Sequence, residues 1–288
     1  MATVASGVAM RGGAVWKWAR LPVWLVTHDR QPGVVVLMYH CVGGGTSLEI
    51  DMPASLMARH IDHLRRAYRI IALDDLISIA RRTAGAPGAD QLVLTFDDGH
   101  EGIFTDVFPI LLRHRIPATV YVPTAYVEEQ RRFDWGGYAH LPEALRPRPM
   151  TWSQIRDLAR SGLVSIGVHT HSHADLSVAS PERIQRELEV SGALMVQRLG
   201  ARPRHFAYPY GRTSPAAARI VAKCYDTAVI IGSARNAYGA IDLRALHRVP
   251  VSARDGYWFF RLKLPALDAH TSPGFASIPS GQGTEEGR

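Results

Sequence analysis

Two short clusters carry the residue types that could do chemistry. Asp97 and Asp98 stand side by side in Thr95-Phe96-Asp97-Asp98-Gly99, directly after the run Gln91-Leu92-Val93-Leu94. Adjacent carboxylates at the mouth of a buried strand repel each other unless something separates their roles. A bound cation does so, ligated by one carboxylate and leaving the other free as a base. The second cluster, His169-Thr170-His171-Ser172-His173, follows the apolar run from Leu163 to Val168 and offers neutral nitrogen ligands. One Asp with two His is a ligand set for a catalytic zinc or similar ion with open coordination positions. Each cluster also has an ordinary reading, since Asp-Asp-Gly favours tight turns and alternating histidines suit a solvated loop. Their joint placement at two strand ends favours the metal site.

Short apolar runs bounded by Gly, Pro or Asp predict strands at Val34–Tyr39, Leu92–Phe96, Ala118–Val122, Val164–Val168, His205–Tyr208, Thr227–Ile231 and Leu246–Val251. Helices are expected between them. Met57, Ile61, Leu64 and Tyr68 line one helical face, and Ser180-Pro181-Glu182 opens a helix carrying Ile184, Leu188, Met195 and Leu199. Repeated βα units imply a mostly parallel sheet, for which closure into an α/β barrel is one solution. His40, Asp97, Asp98, His169, His173 and Tyr210 all fall at or just past predicted strand C-termini, the face where such barrels build active sites. The segment from Pro123 to Met150, with Tyr126, Phe133, Asp134, Trp135 and Tyr138, reads as a long loop and a substrate wall.

The chain has 288 residues, 47% of them hydrophobic, enough for a single barrel core. Its formal charge of +7 comes from 33 basic and 26 acidic residues. No nucleic-acid-binding motif accompanies that surplus, so nucleic acid is not an expected partner. Two cysteines, Cys41 and Cys224, form no disulfide framework. Residues 1–32 form an apolar and basic segment in which Trp16, Trp18 and Trp24 lie beside Arg11, Lys17 and Arg20. It is too broken for a signal peptide or a membrane span, though it could touch a membrane surface. A catalytic domain is expected over 33–265 and a disordered tail over 266–288. The expected location is cytoplasmic, with membrane association open.

Thr95-Phe96-Asp97-Asp98-Gly99, His169-Thr170-His171-Ser172-His173, Phe206-Ala207-Tyr208-Pro209-Tyr210-Gly211 and the opening Val36-Leu37-Met38-Tyr39-His40 together resemble the NodB-homology polysaccharide deacetylases. This carbohydrate esterase family removes N-acetyl groups from sugars. The resemblance covers roughly residues 33 to 252 and is nearest to the branch acting on poly-N-acetylglucosamine. It implies a distorted (β/α) barrel of about seven parallel strands. It also implies one divalent ion, zinc by expectation, held by Asp98, His169 and His173.

By the same resemblance, Asp97 is the general base and the backbone N–H of Tyr210 faces the oxyanion. His40 is the expected acid, with His247 as its rival. His171 is a bystander unless the segment stays extended, when 169, 171 and 173 would share one face. His100, Tyr208, Arg248 and Trp135 are expected at the substrate. Many relatives carry an arginine where Ala207 stands; Arg248, on another strand, is the expected replacement that orients Asp97. Cys41 reads as a small packed residue. The expected function is metal-dependent removal of N-acetyl groups from N-acetylhexosamine units of a glycan or glycoconjugate. The alternatives are a deformylase or deacylase of a lipid-linked or small amino sugar, and a catalytically silent carbohydrate-binding protein.

Overall fold

The computed structural model describes residues 32–80, 89–265, 267 and 269–270. The expectations for the N-terminal segment and the tail therefore lie almost wholly outside the described residues.

Seven strands build the barrel: β1 (Gly33–Tyr39), β2 (Gln91–Phe96), β3 (Ala118–Val122), β4 (Val164–Val168), β5 (His205–Ala207), β6 (Thr227–Ile231) and β7 (Leu246–Pro250). Each is parallel to its neighbours, and β1 closes the ring by pairing with β2 on one side and β7 on the other. Strands buried on both faces read as continuous apolar runs, and all seven residues of β1, Gly-Val-Val-Val-Leu-Met-Tyr, are buried. Alternation along each strand divides the core in two. Val34, Val36, Val93, Tyr121, Ala207, Val229 and Leu246 cluster within the barrel. Val35, Leu37, Leu92 and Leu94 belong to the larger core shared with the surrounding helices. Inside the barrel the Tyr121 ring lies against Gly167, where an added Cβ would come within 2.4 Å of it.

The helices are α1 (Ala54–Ala67), α2 (Leu73–Ala80), α3 (Phe108–His114), α4 (Thr124–Glu129), α5 (Trp152–Arg160), α6 (Pro181–Leu199), α7 (Pro215–Cys224) and α8 (Gly256–Lys263). Ser180 caps α6, its side chain accepting from the Arg183 N–H ahead of proline at the first helical position. Ile184, Leu188 and Met195 are buried as the spacing predicts. The segment 123–150 departs from a plain loop. It contains α4 and two short 3-10 turns, and it packs around a small apolar cluster of Ala125, Tyr126, Phe133 and Tyr138. A short strand at Arg235–Ala237 runs antiparallel to β1, and Ala269–His270 pairs alongside it. Among the described residues no helix is long and apolar enough to cross a membrane.

Candidate active site

Register places the site. Tyr39 pairs with Phe96, which sets His40 beside Asp97 at the C-terminal rim of the barrel, and the Asp97 N–H donates to the Tyr39 carbonyl at 2.9 Å. Asp98 then takes a left-handed φ of 67°. Thr170, His173 and Tyr210 do likewise, so four of the seven non-glycine residues with positive φ among the described residues lie at this rim. Such conformations cost free energy and persist where the surroundings over-determine them. Here they turn short strand-end segments inward.

Asp98, His169 and His173 are buried, and their candidate ligand atoms lie within 4.8 Å of one another. Asp98 Oδ1 is 3.5 Å from His173 Nε2 and 3.7 Å from His169 Nε2, and it is a buried oxygen without a hydrogen-bond partner. A buried orphan acceptor is costly; a cation bridging it to two imidazole nitrogens would satisfy it. His169 Nδ1 donates to the Ala207 carbonyl at 2.8 Å, which leaves its Nε2 lone pair aimed into the cluster. Burial holds His169 and His173 below the usual imidazole range, keeping both neutral as ligands must be. The Asp98 carboxyl is pushed up by burial and then by Asp97, an effect that a bound cation would offset. The donor set fits a divalent ion.

Asp97 sits under the opposite influence. Burial alone would raise its carboxyl, but Arg248 holds it well below the usual carboxylate range. Arg248 Nη1 and Nη2 contact Asp97 Oδ1 and Oδ2 at 2.6 and 2.7 Å, a bidentate pair. Arg248 follows Leu246 by two residues on β7 and so shares the inward face that also carries Ala207. The small side chain at 207 and the long one at 248 thus serve one interior space. Arg248 is fully buried against Asp97, a place inside the barrel and not on a cavity wall as a substrate contact would be.

The cavity over the cluster holds about 130 Å³ and is lined by His40, Asp97, Trp135, Tyr210 and Ile231, among others. His40 Nε2 lies 3.9 Å from Asp97 Oδ2. His247 points elsewhere, its ring lying where a Cβ on Gly232 would be. Trp135 stacks flat on His173, with ring centroids 4.0 Å apart, and Tyr210 meets the same ring edge-on at 4.9 Å. The Tyr138 hydroxyl is 3.4 Å from Asp98 Oδ2.

Besides Arg248 and His247, three further residues fall outside this cavity. Tyr208 is buried against Phe206. His100 is buried beside a larger cavity of about 430 Å³, between Gly43–Ser47 and Leu141–Arg148, that contains no member of the metal-type cluster. His171 is turned away, because the segment after Val168 does not stay extended; its Nδ1 lies 2.9 Å from Thr124 Oγ1. Cys41 is buried and packed, with burial pushing its thiol upward.

One contributor escapes the sequence reading. Glu187, buried on α6, accepts from the N–H groups of His171 and Ser172 at 2.9 and 2.8 Å and from Ser172 Oγ at 2.6 Å. The signal was an acidic residue three positions after Ile184, within the buried stripe of α6.

The family model for polysaccharide deacetylases matches residues 84–229, half of the chain, and the chain belongs to that family. The putative polysaccharide deacetylase YxkH of Bacillus subtilis (strain 168) is 26% identical over 233 residues, covering 80% of this chain and 75% of YxkH. The chitooligosaccharide deacetylase of Sinorhizobium fredii (strain NBRC 101917 / NGR234) is 30% identical over 141 residues, 48% of this chain and 54% of that protein. The chain thus spans about half the length of that relative. Among solved structures, a de-N-acetylase from Aggregatibacter actinomycetemcomitans superposes with a TM-score of 0.68 at 20% identity, over 80% of this chain and 99% of the other. That likeness establishes the shared barrel.

Proposed function

We propose that this protein is a metal-dependent hydrolase that removes the N-acetyl group from N-acetylhexosamine units of a glycan or glycoconjugate. The observation that carries the reading is the pairing of two differently tuned carboxylates: Asp98 with the two histidines, and Asp97 locked to Arg248. Asp98, His169 and His173 would hold the ion, which when bound polarises the acyl carbonyl and acidifies water. Asp97, kept ionised, accepts a proton from the attacking water.

His40 starts neutral, since burial pushes it down to about 4 against the pull of Asp97. The proton it passes to the departing amine is therefore acquired during turnover, and Asp97, whose Oδ2 lies 3.9 Å from His40 Nε2, can hand on the proton it has taken from the water. The Tyr210 backbone N–H faces the developing oxyanion. A 130 Å³ space suits a short acyl group, with the sugar outside against Trp135, Tyr210 and Ile231.

Relatives include both chitooligosaccharide deacetylases and poly-β-1,6-N-acetyl-D-glucosamine N-deacetylases. Within our reading, the opening Val36-Leu37-Met38-Tyr39-His40 favours the second as a substrate type. Elemental mass spectrometry of wild type and Asp98→Ala, followed by acetate release from both kinds of oligomer, tests the proposal. One divalent ion per chain, lost in the variant, with ion-dependent acetate release is expected. A retained ion without release from any N-acylated sugar would favour the binding protein.

A further inference from the structure

We infer that Glu187 is a positioning residue for the metal ligands, acting through the backbone of the loop that carries them. The inference rests on the metal reading above. His169 and His173 bracket a tight loop in which Thr170 and His173 have φ of 61° and 57°. Left-handed residues of this kind relax unless neighbouring contacts fix them. On one side the start of α4 fixes the loop: the Thr124 and Ala125 N–H groups donate to the carbonyls of Thr170 and His171 at 3.3 and 2.8 Å.

On the other side stands Glu187. Its Oε2 takes two successive N–H groups, those of His171 and Ser172, and its Oε1 takes the Ser172 hydroxyl. A carboxylate that gathers consecutive amides determines the path of the backbone between them. The segment so determined is the one linking the two histidine ligands. Glu187 is itself locked in the helix stripe, and Ser191 Oγ returns a bond to its carbonyl at 2.6 Å. Glu187 does not line the cavity, so it can influence the site through loop geometry or through the field of its charge, not by contact. Partners of this indirect kind typically change metal affinity ten- to a hundredfold when removed.

Glutamine separates geometry from charge. Its carbonyl oxygen can accept both N–H groups, while its amide donates to Ser172 Oγ, so every contact survives with one bond reversed. Zinc affinity is measured by competition with a chromophoric chelator on full-length wild type, Glu187→Gln, Glu187→Leu and Glu187→Asp, each first checked for folding by circular dichroism. Glu187→Gln is expected to stay within about threefold of wild type and Glu187→Leu to weaken by ten- to a hundredfold, in line with that range. A folded Glu187→Leu with wild-type affinity overturns the inference, as does a Glu187→Gln that falls as far as Glu187→Leu. Should Glu187→Leu fail to fold, Glu187→Asp, whose shorter side chain withdraws both oxygens, takes its place under the same criteria. If wild type binds no zinc, the metal reading fails separately. Hydrogen exchange of the His171 and Ser172 amides then decides for Glu187: faster exchange in the Leu variant but not in the Gln variant supports it, and equal protection in all overturns it.

Discussion

Arg248 closes both of its terminal nitrogens on the two oxygens of Asp97 across 151 residues of sequence, inside a barrel that leaves Arg248 no exposed surface. Breaking such a pair from one side strands a buried charge. Arg248→Met should lose about 3–5 kcal/mol at pH 8 in urea unfolding, together with most activity. The pH dependence has a definite sign. In wild type the depressed Asp97 carboxyl contributes stability that is present above its unfolded value, about 3.9, and is lost as pH falls through the lower folded value. Without Arg248 burial dominates and raises the carboxyl, so the variant's deficit should narrow between pH 8 and pH 4.5. A constant deficit would remove this account.

His40 and His247 can be separated by substitution. His40→Ala should cut kcat by about 10²–10⁴-fold while bound metal stays at the wild-type level. His247→Ala, whose ring lies off the cavity, should leave kcat within a few-fold. The reverse ranking would transfer the acid role to His247.

Much of this architecture was readable in the residues. All seven barrel strands are short apolar runs punctuated by Gly, Pro or Asp, and each observed strand lies within one residue of its expected ends. Asp97, Asp98, His169, His173, His40 and Tyr210 could be placed on one rim because each sits at a strand terminus. What could not be read was contact between distant segments. Nothing local joins Glu187 to Ser172, or tells that His100 faces a different cavity from its neighbour Asp98. The α4 helix was missed because Pro123 offers no side-chain cap and the helix is only six residues long. The Arg235–Ala237 strand is short and polar, and its pairing with β1 alone defines it.

The turn after β5 separates backbone from side-chain chemistry. Tyr210→Phe keeps the main chain and should retain kcat within a few-fold. Gly211→Ala adds a Cβ that would lie 2.2 Å from Ile231 Cγ1 at a φ of 64°, forcing the turn to shift. Its kcat should fall by at least tenfold, since one misplaced oxyanion donor costs about 10²–10³. A Tyr210→Phe loss as large as that of Gly211→Ala would point to the phenol instead.

Zinc should stabilise the folded chain through mass action, by about 2.7 kcal/mol at a free concentration a hundred times Kd. His173→Ala should abolish that gain in a thermal-shift titration. Equal stabilisation of wild type and variant would place the ion elsewhere.

The double pairing of β1 governs the order in which the molecule can assemble. Gly33–Tyr39 leaves the ribosome before any other barrel strand, yet one of its two parallel partners is Leu246–Pro250. Until that last strand emerges, the free side of β1 is an open edge of the kind that recruits foreign strands. Arg235–Ala237 reaches the lower part of that edge first, opposite Gly33 and Val34, and leaves Val36 to Met38 for β7. The arginine that neutralises Asp97 arrives on that final strand, so a nascent chain holds Asp97 without its counter-ion until synthesis of the barrel is finished.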